Sequence, residues 1–317
     1  TFEGVYRTTD GGATWAKTAG MAPLATSTLL RSSDGGLLLA GAESRGVYGS
    51  DDDGATWASW GLPGSDIRAL ALSPDYAEDG TLFATVTAGA GLGLCRTTDG
   101  GATWEALKST DYPGGDLAIS PQYAEDHTLY LTGQHGQVLR SGDGGETWAV
   151  MGELPPGSTS LGAWWIALPP AYPVDSTLFT AGNAGFWRLP SGATTWEPAA
   201  SGLISDVSVS SIAVSPQYAT DQTLLATAAD GVYRSNDGGV NWSLASTGLP
   251  DRALPTIAFS PAYATDHTAY VISDKRLYRS RDGGLSWSDL GTPPDAPDLH
   301  DLTVEDGGAV TIASAAG

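Results

Sequence analysis

The sequence predicts an all-β fold, a seven-bladed β-propeller of four-stranded antiparallel blades, and three observations predict it. A nine-residue phrase, RTTDGGATW, stands at 7–15 and again at 96–104, with looser copies RSGDGGETW (140–148), RSNDGGVNW (234–242) and RSRDGGLSW (279–287). Its closing tryptophan recurs as Trp15, Trp57, Trp104, Trp148, Trp196, Trp242 and Trp287, in steps of 42 to 48 residues, a spacing that suits a propeller blade. The stretch after Trp287 and the stretch up to Trp15 together make one further period of 45 residues, so head and tail complete one split blade.

The strands follow in order. Residues 1–15 hold only the third and fourth strands of a blade. A whole blade is legible at 211–246, where SIAVS, QTLLATA, GVYRS and NWSLAS read as four short strands punctuated by Gly, Asp and Pro. The last stretch, DLTVEDGGAVTIASA at 301–315, holds a first and a second strand. Closing the seventh blade from both ends removes exposed edges, and the expectation is one domain over 1–317. Blades packed on both faces do not need strict alternation of apolar and polar residues.

The repeated phrase has the chemistry of a fastener. Gly supplies positive φ in a tight turn between the third and fourth strands. The Asp carboxylate accepts turn N–H groups, the Thr hydroxyl closes the turn, and the Trp packs between blades. The pattern Ser/Thr-x-Asp-x-Gly-x-Thr-Trp resembles the Asp-box, or BNR repeat, of sialidases, sortilin-type receptors, xyloglucanase-type glucanases and photosystem-assembly-factor-type propellers. Six copies match, with box residues Asp10, Asp52, Asp99, Asp143, Asp237 and Asp282; the fifth copy, LPSGATTW, has Ser191 and Ala193 instead. The resemblance covers the whole chain and implies the fold strongly and function hardly at all. Arg7, Arg96, Arg140, Arg188, Arg234 and Arg279 precede the boxes, and this recurrence argues for structure over a sialidase-type arginine triad.

A second phrase, SPDYAEDGTL (73–82), returns as SPQYAEDHTL, PPAYPVDSTL, SPQYATDQTL and SPAYATDHTA. It joins first and second strands on the face that carries the boxes, and its His127 and His267 read as solvated loop residues. Two neighbouring blades have the short links RSSDGG and EDGG instead, which makes one uneven sector. Cys95 occupies the place of Tyr6, Tyr48, Tyr233 or Tyr278 and reads as a core filler.

Function is expected on the opposite face, where blades differ at equivalent positions. Four and five residues before the anchors Ser73, Ser120, Pro169, Ser215 and Ser260 stand Arg68 and Ala69, Gly115 and Asp116, Trp164 and Trp165, Ser210 and Ser211, Pro255 and Thr256. The closing blade adds His300 and Asp301, and the connections add Glu43, Arg45, Trp60, Asp111, Tyr112, His135 and Arg252. The candidate ligand-binding set is Trp60, Arg68, Tyr112, Trp164, Trp165 and His300, around a channel mouth. Asp116 and Asp301 form an alternative catalytic pair, since a glycosidase needs two carboxylates about 5–9.5 Å apart.

Composition narrows the partners. The charge of −21, from 36 acidic against 15 basic residues, repels nucleic acid and anionic lipid. One cysteine rules out an internal disulfide and a thiolate metal cluster, and no apolar run is long enough for a membrane-spanning helix. The opening TFEGVYRTTDGG has no signal-peptide character. Neither a cofactor nor a metal is expected; the acidic run DDDG at 51–54 belongs to one box alone. The reading is a non-catalytic, bacterial, extracellular or cell-surface binding or scaffold propeller, with protein or glycan at the mouth. The alternative is a glycoside hydrolase acting on polysaccharide; a third is self-assembly as a subunit of a larger surface assembly.

Overall fold

A computed structural model describes residues 4–19, 25–32, 34–88, 91–107, 115–133, 136–153, 162–199, 201–202, 208–250, 254–294, 298–305 and 307–315. The strands form seven four-stranded antiparallel sheets, the blades of a seven-bladed β-propeller. By contacts the chain divides into two compact units, residues 1–113 with 290–317, and residues 114–289.

The first unit holds three blades. Blade 1 consists of Thr26–Arg31, Leu38–Ala42, Gly46–Ser50 and Ala58–Gly61. Blade 2 consists of Asp66–Leu72, Leu82–Ala88, Gly91–Thr97 and Glu105–Ala106. The split blade takes Asp298–Val304 and Val310–Ala315 from the tail and Gly4–Thr8 and Ala16–Lys17 from the head. Its central pairing sets Gly4 opposite Ser314 and Thr8 opposite Val310, as the combined period predicts. Apolar clusters fill the spaces between successive blades. Val5 and Ala313 meet Leu29, Leu38 and Trp57, and Leu39 and Val47 meet Ile67, Leu82 and Cys95. Cys95 is buried in that layer, and burial pushes its thiol up.

The second unit holds four blades. Their strands are Leu117–Ile119, Leu129–Thr132, Val138–Ser141 and Ala149–Val150 in blade 3, and Ala163–Ala167, Leu178–Gly182, Gly185–Leu189 and Glu197–Pro198 in blade 4. Blade 5 runs Val209–Val214, Leu224–Ala228, Gly231–Ser235 and Ser243–Leu244, and blade 6 runs Ile257–Phe259, Ala269–Ser273, Arg276–Ser280 and Ser288–Gly291. Here too the core lies between blades: Phe179 and Phe186 pack on Tyr218, Tyr233 and Trp242.

Each box turn closes through the same set of bonds. In the first, the Thr14 N–H and hydroxyl donate to the two Asp10 oxygens at 2.8 and 2.5 Å. The Thr8 hydroxyl donates to Asp10 at 2.9 Å and accepts the Gly12 N–H at 2.8 Å. The set recurs at Asp52, Asp99, Asp143 and Asp282, and Asn241 replaces the hydroxyl donor at Asp237. In blade 4, where the Asp is missing, the Ser191 hydroxyl meets the Ser176 hydroxyl at 2.9 Å instead. Glycine is obligatory at Gly284: its φ is +90°, and a Cβ there would lie 2.7 Å from Leu225 of the preceding blade.

In four blades the turn aims the tryptophan so that its indole clips one blade to another, whereas the Trp148 indole bonds Gly145 O of its own turn at 3.0 Å. In the second unit, the backbone N–H groups of Trp196, Trp242 and Trp287 donate to Glu153, Ser201 and Thr247 at 2.8–2.9 Å. Their indole N–H groups donate to the Met151, Ala199 and Ala245 carbonyls at 2.7, 2.9 and 2.8 Å. Every acceptor follows the fourth strand of the preceding blade. In the first unit, Trp104 reaches Trp60 O of blade 1 at 2.7 Å.

The second repeated phrase locks onto the first. In blade 2, Asp79 accepts from the Ser73 hydroxyl at 2.6 Å and from Thr81 N at 2.7 Å. The next residue turns left-handed, at Gly80, His127, Gln222 and His267. Its carbonyl takes the N–H of the first box glycine, Gly100, Gly144, Gly238 or Gly283 respectively. His127 and His267 are exposed there, each edge-on to its own tyrosine.

Where the second phrase is missing, ion pairs take its place. Glu305 is buried and receives Arg7 through Nε at 2.9 Å and Nη2 at 2.7 Å. Arg31 lies 3.0 Å from the same carboxylate and 2.6 Å from Asp53. That spends Asp53 of the DDDG run on an arginine, and no group of three or more His, Cys, Asp or Glu among the described residues is placed to hold a metal.

Two predictions follow from these fasteners. The bonds from the threonine hydroxyl and N–H hold Asp10, Asp52, Asp99 and Asp143 at about 2, against 3.8 ordinarily. Between those values the unfolded chain binds more protons, so stability is present above the ordinary value and is lost as pH falls through about 2. The thermal midpoint is expected to drop as pH falls across that window, and Asp143→Asn to flatten the dependence; an unchanged dependence contradicts the assignment. Trp287→Ala is expected to cost about 3–5 kcal/mol in urea unfolding, and Trp287→Phe to recover part of that loss without the indole bond.

Candidate functional site

Four of the addresses chosen from the sequence, those at Arg68, Trp164, Ser210 and His300, fall at β-bulges, and blade 1 has one more. Register shifts in the pairing of first and second strands fall at Thr26/Thr28, Ile67/Ala69, Ala163/Trp165, Val209/Ser211 and Leu299/Asp301. The residues left over are Ser27, Arg68, Trp164, Ser210 and His300, each five positions before the residue that opens the link to the second strand: Ser32, Ser73, Pro169, Ser215 and Glu305. A bulge puts two residues opposite one and re-aims the extra side chain. The freed backbone groups are not wasted: Ala69 N donates to the Thr85 hydroxyl at 2.9 Å, and the Thr180 hydroxyl donates to Trp165 O at 2.8 Å. In blade 3 the address holds Gly115, and Asp116 N donates to the Thr132 hydroxyl at 2.8 Å.

In the first unit the bulges present Arg68 and His300, both exposed. Arg68 donates through Nε to the Thr87 hydroxyl at 3.2 Å. Between them in blade order, the Ser27 hydroxyl is tied down on Ile67 O at 2.6 Å. In the second unit the bulge of blade 4 presents Trp164, 59% exposed, followed by Trp165, 39% exposed. Two adjacent large aromatics left in water on a rigid strand are the largest apolar investment among the described surface residues of that blade.

Asp116 and Asp301 occupy one and the same address, and they do one and the same job. Asp301 accepts from Leu302 N at 2.9 Å and from Leu29 N, on the first strand of blade 1, at 2.8 Å. Asp116 accepts from Leu117 N at 2.9 Å and from Ile166 N, on the first strand of blade 4, at 3.0 Å. Each carboxylate therefore stitches its own first strand to that of the next blade. The sequence signal for this was their shared register, four residues before the anchor.

Trp60 lies elsewhere than on the first-strand bulges. It sits on the fourth strand of blade 1, half-buried, with its ring 6.4 Å from that of Tyr76 and nearly parallel to it. Gly49, where the other boxes have arginine, makes room: a Cβ there would lie 2.3 Å from the indole. Trp60 thus fills the space between blades 1 and 2. Glu43 and Arg45 are exposed in the hairpin between the second and third strands of blade 1. Tyr112, Asp111, His135 and Arg252 lie outside the described residues.

No protein-family model matches the sequence, and no curated protein does. Solved structures share the fold. The GH74 xyloglucanase from Xanthomonas campestris superposes with a TM-score of 0.70 at 18% identity, covering 95% of this chain and 52% of that one. The extracellular domain assigned to a one component system, BT4673, from B. thetaiotaomicron gives 0.70 at 10% identity, covering 93% and 38%. YCF48 from Cyanidioschyzon merolae gives 0.64 at 13% identity, covering 93% and 97%; YCF48 has also been solved bound to D1 peptide, with a TM-score of 0.65 at 14% identity, covering 94% and 96%. The chain spans about half the length of the xyloglucanase. At these identities the likeness shows the fold alone.

The two classes of first-strand residue are expected to separate by mutation. Asp116→Ala or Asp301→Ala leaves a neighbouring backbone N–H without its acceptor and is expected to cost about 1–3 kcal/mol. Arg68→Ala and His300→Ala, at exposed bulges, are expected to stay within about 0.5 kcal/mol of the parent. Chemical denaturation checks both; equal losses at all four positions would contradict the division.

Proposed function

We propose that this chain is a non-catalytic binding or scaffold propeller of the Asp-box type, working outside the cell or on its surface, with its ligand-facing residues at the first-strand bulges. The observation that carries this reading is the double commitment of Asp116 and Asp301. An acid/base pair must reach a glycosidic oxygen or a water, whereas each of these carboxylates already accepts two backbone N–H groups, one from its own blade and one from the next. The other repeated carboxylates are spent inside turns.

What remains for a ligand is variable side chains on a rigid frame, the arrangement that suits recognition. Trp164 and Trp165 offer a flat apolar platform for a sugar or a side chain. The extracellular placement is supported by the likeness to an extracellular domain, and binding without chemistry by the likeness to YCF48 with its peptide. The likeness to GH74 enzymes keeps the hydrolase as the second reading.

A hydrolysis screen over plant and bacterial polysaccharides, with binding measured in parallel, decides between them. The proposal expects no turnover on any substrate, and retention on an affinity gel or peptide array that Trp164→Ala weakens about tenfold. Turnover abolished by Asp116→Asn or Asp301→Asn would overturn it.

A further inference from the structure

We infer that the bulge of blade 4 is a glycan subsite, in which Trp164, seated on Gly182, offers its indole to the C–H face of a neutral pyranose ring. The inference rests on the binding reading above and names the ligand class of one of its surfaces. Trp164 and Trp165 are the only exposed aromatic residues among the described residues. They are adjacent in the chain, and the register shift between Ala163 and Trp165 falls on them.

The seat under Trp164 is built. Just ahead of the bulge, the second-strand partner is Ala42, Val86, Ala228 or Ser314 in the other four bulged blades, and Gly182 in blade 4. A Cβ at Gly182 would overlap Trp164 Cδ1 and Gly162 O. The indole edge therefore takes the room that a side chain fills in those blades, and of the five bulged blades only the one with a bulge tryptophan has the glycine. The strand that carries the ring is pinned as well: the Thr180 hydroxyl donates to Trp165 O at 2.8 Å, and Ile166 N donates to Asp116 at 3.0 Å. A ring held this way, 59% exposed, loses little freedom when a ligand covers it.

Three features select a neutral sugar over a peptide. The first is charge. On a chain of net charge −21, Ala163–Ala167, Leu178–Gly182, the turn at 183–184 and Val209–Val214 carry no charged side chain, and Asp116 is spent on backbone N–H groups. The second is the sheet edge. A peptide that docks by adding a strand pairs with open backbone groups, and here Trp165 O and Ile166 N are taken. The third is shape. An apolar side chain that anchors a peptide fills a desolvated pocket, whereas Trp164 is a ring left in water over a glycine. A pyranose suits such a shelf. Its ring C–H groups lie against the electron-rich face of the indole, and its hydroxyls stay in water or reach the exposed amide of Asn183, the residue after Gly182.

Calorimetry and saturation-transfer NMR on the full chain test this, with cellohexaose, mannohexaose and a neutral proline-rich peptide as probes. The expected result is that at least one oligosaccharide binds, that saturation of the indole protons passes to its ring C–H protons, and that added salt leaves the affinity unchanged. Trp164→Ala should weaken binding about tenfold and Trp165→Ala less, with the thermal midpoint unchanged in both. Gly182→Ala keeps the indole but removes its seat, and should weaken binding as Trp164→Ala does; a folded Gly182→Ala that binds like the parent would contradict the seat, and if that variant does not fold the tryptophan variants decide. No binding of either oligosaccharide, or binding indifferent to Trp164→Ala, would overturn the subsite. Retention of the peptide through Trp164 with neither oligosaccharide bound would leave the binding propeller standing while the subsite fell. Hydrolysis of a bound oligosaccharide, abolished by Asp116→Asn or Asp301→Asn, would keep the subsite and overturn the non-catalytic reading.

Discussion

The structure depends on one contact that recurs at Trp104, Trp196, Trp242 and Trp287: a tryptophan presented by its box turn and clipped to a carbonyl at the end of the preceding blade. A four-stranded blade has two apolar faces and cannot bury either alone. The box solves this locally. Where the Asp is present, it and the Thr tie the turn to itself, and the turn delivers a tryptophan with two directed donors, its backbone and its indole N–H, to the preceding blade. Trp196, Trp242 and Trp287 each make both bonds. The second repeated phrase braces the box from within the same blade, through the carbonyl of a left-handed residue onto the first box glycine.

This division of labour separates structure from recognition at the level of single residues. On five of the first strands, position −5 from the start of the link is a bulge and position −4 is not. The bulge sends Arg68, Trp164 and His300 outward, free to differ between blades. Where the neighbouring −4 position is Asp, as at 116 and 301, the carboxylate takes a backbone N–H of the next blade. The pair read from the sequence as a catalytic alternative is thus one structural device used twice. The split blade and blade 1 show a different solution to the same packing need: with no room for the helical turn and its tyrosine, Arg7, Arg31 and Glu305 fill the gap with charge.

Periodicity made the blades legible because every blade solves the same problem with the same letters. Seven tryptophans fixed the count, and the sum of head and tail fixed the split blade. The candidate addresses were legible for the opposite reason, as the places where regularity fails. The cause of that failure, the bulge, left no letter of its own; it is a backbone event shared by Ser, Arg, Trp and His. Trp60 escaped because its partner signal, the glycine at 49 in place of an arginine, acts across two strands. The ion-pair network escaped because Arg7 and Glu305 are 298 positions apart and meet only when the head pairs with the tail.

The clip is tested most directly by hydrogen exchange at the indole N–H of Trp242 and Trp287. If these bonds fasten blade to blade, both indoles exchange only through opening of the blade contact, slowed to the level of the best protected strand amides, and Asp237→Ala and Asp282→Ala speed up the indole of their own box. Exchange at the rate of an exposed indole, or indoles indifferent to the aspartate of their own turn, would contradict the account.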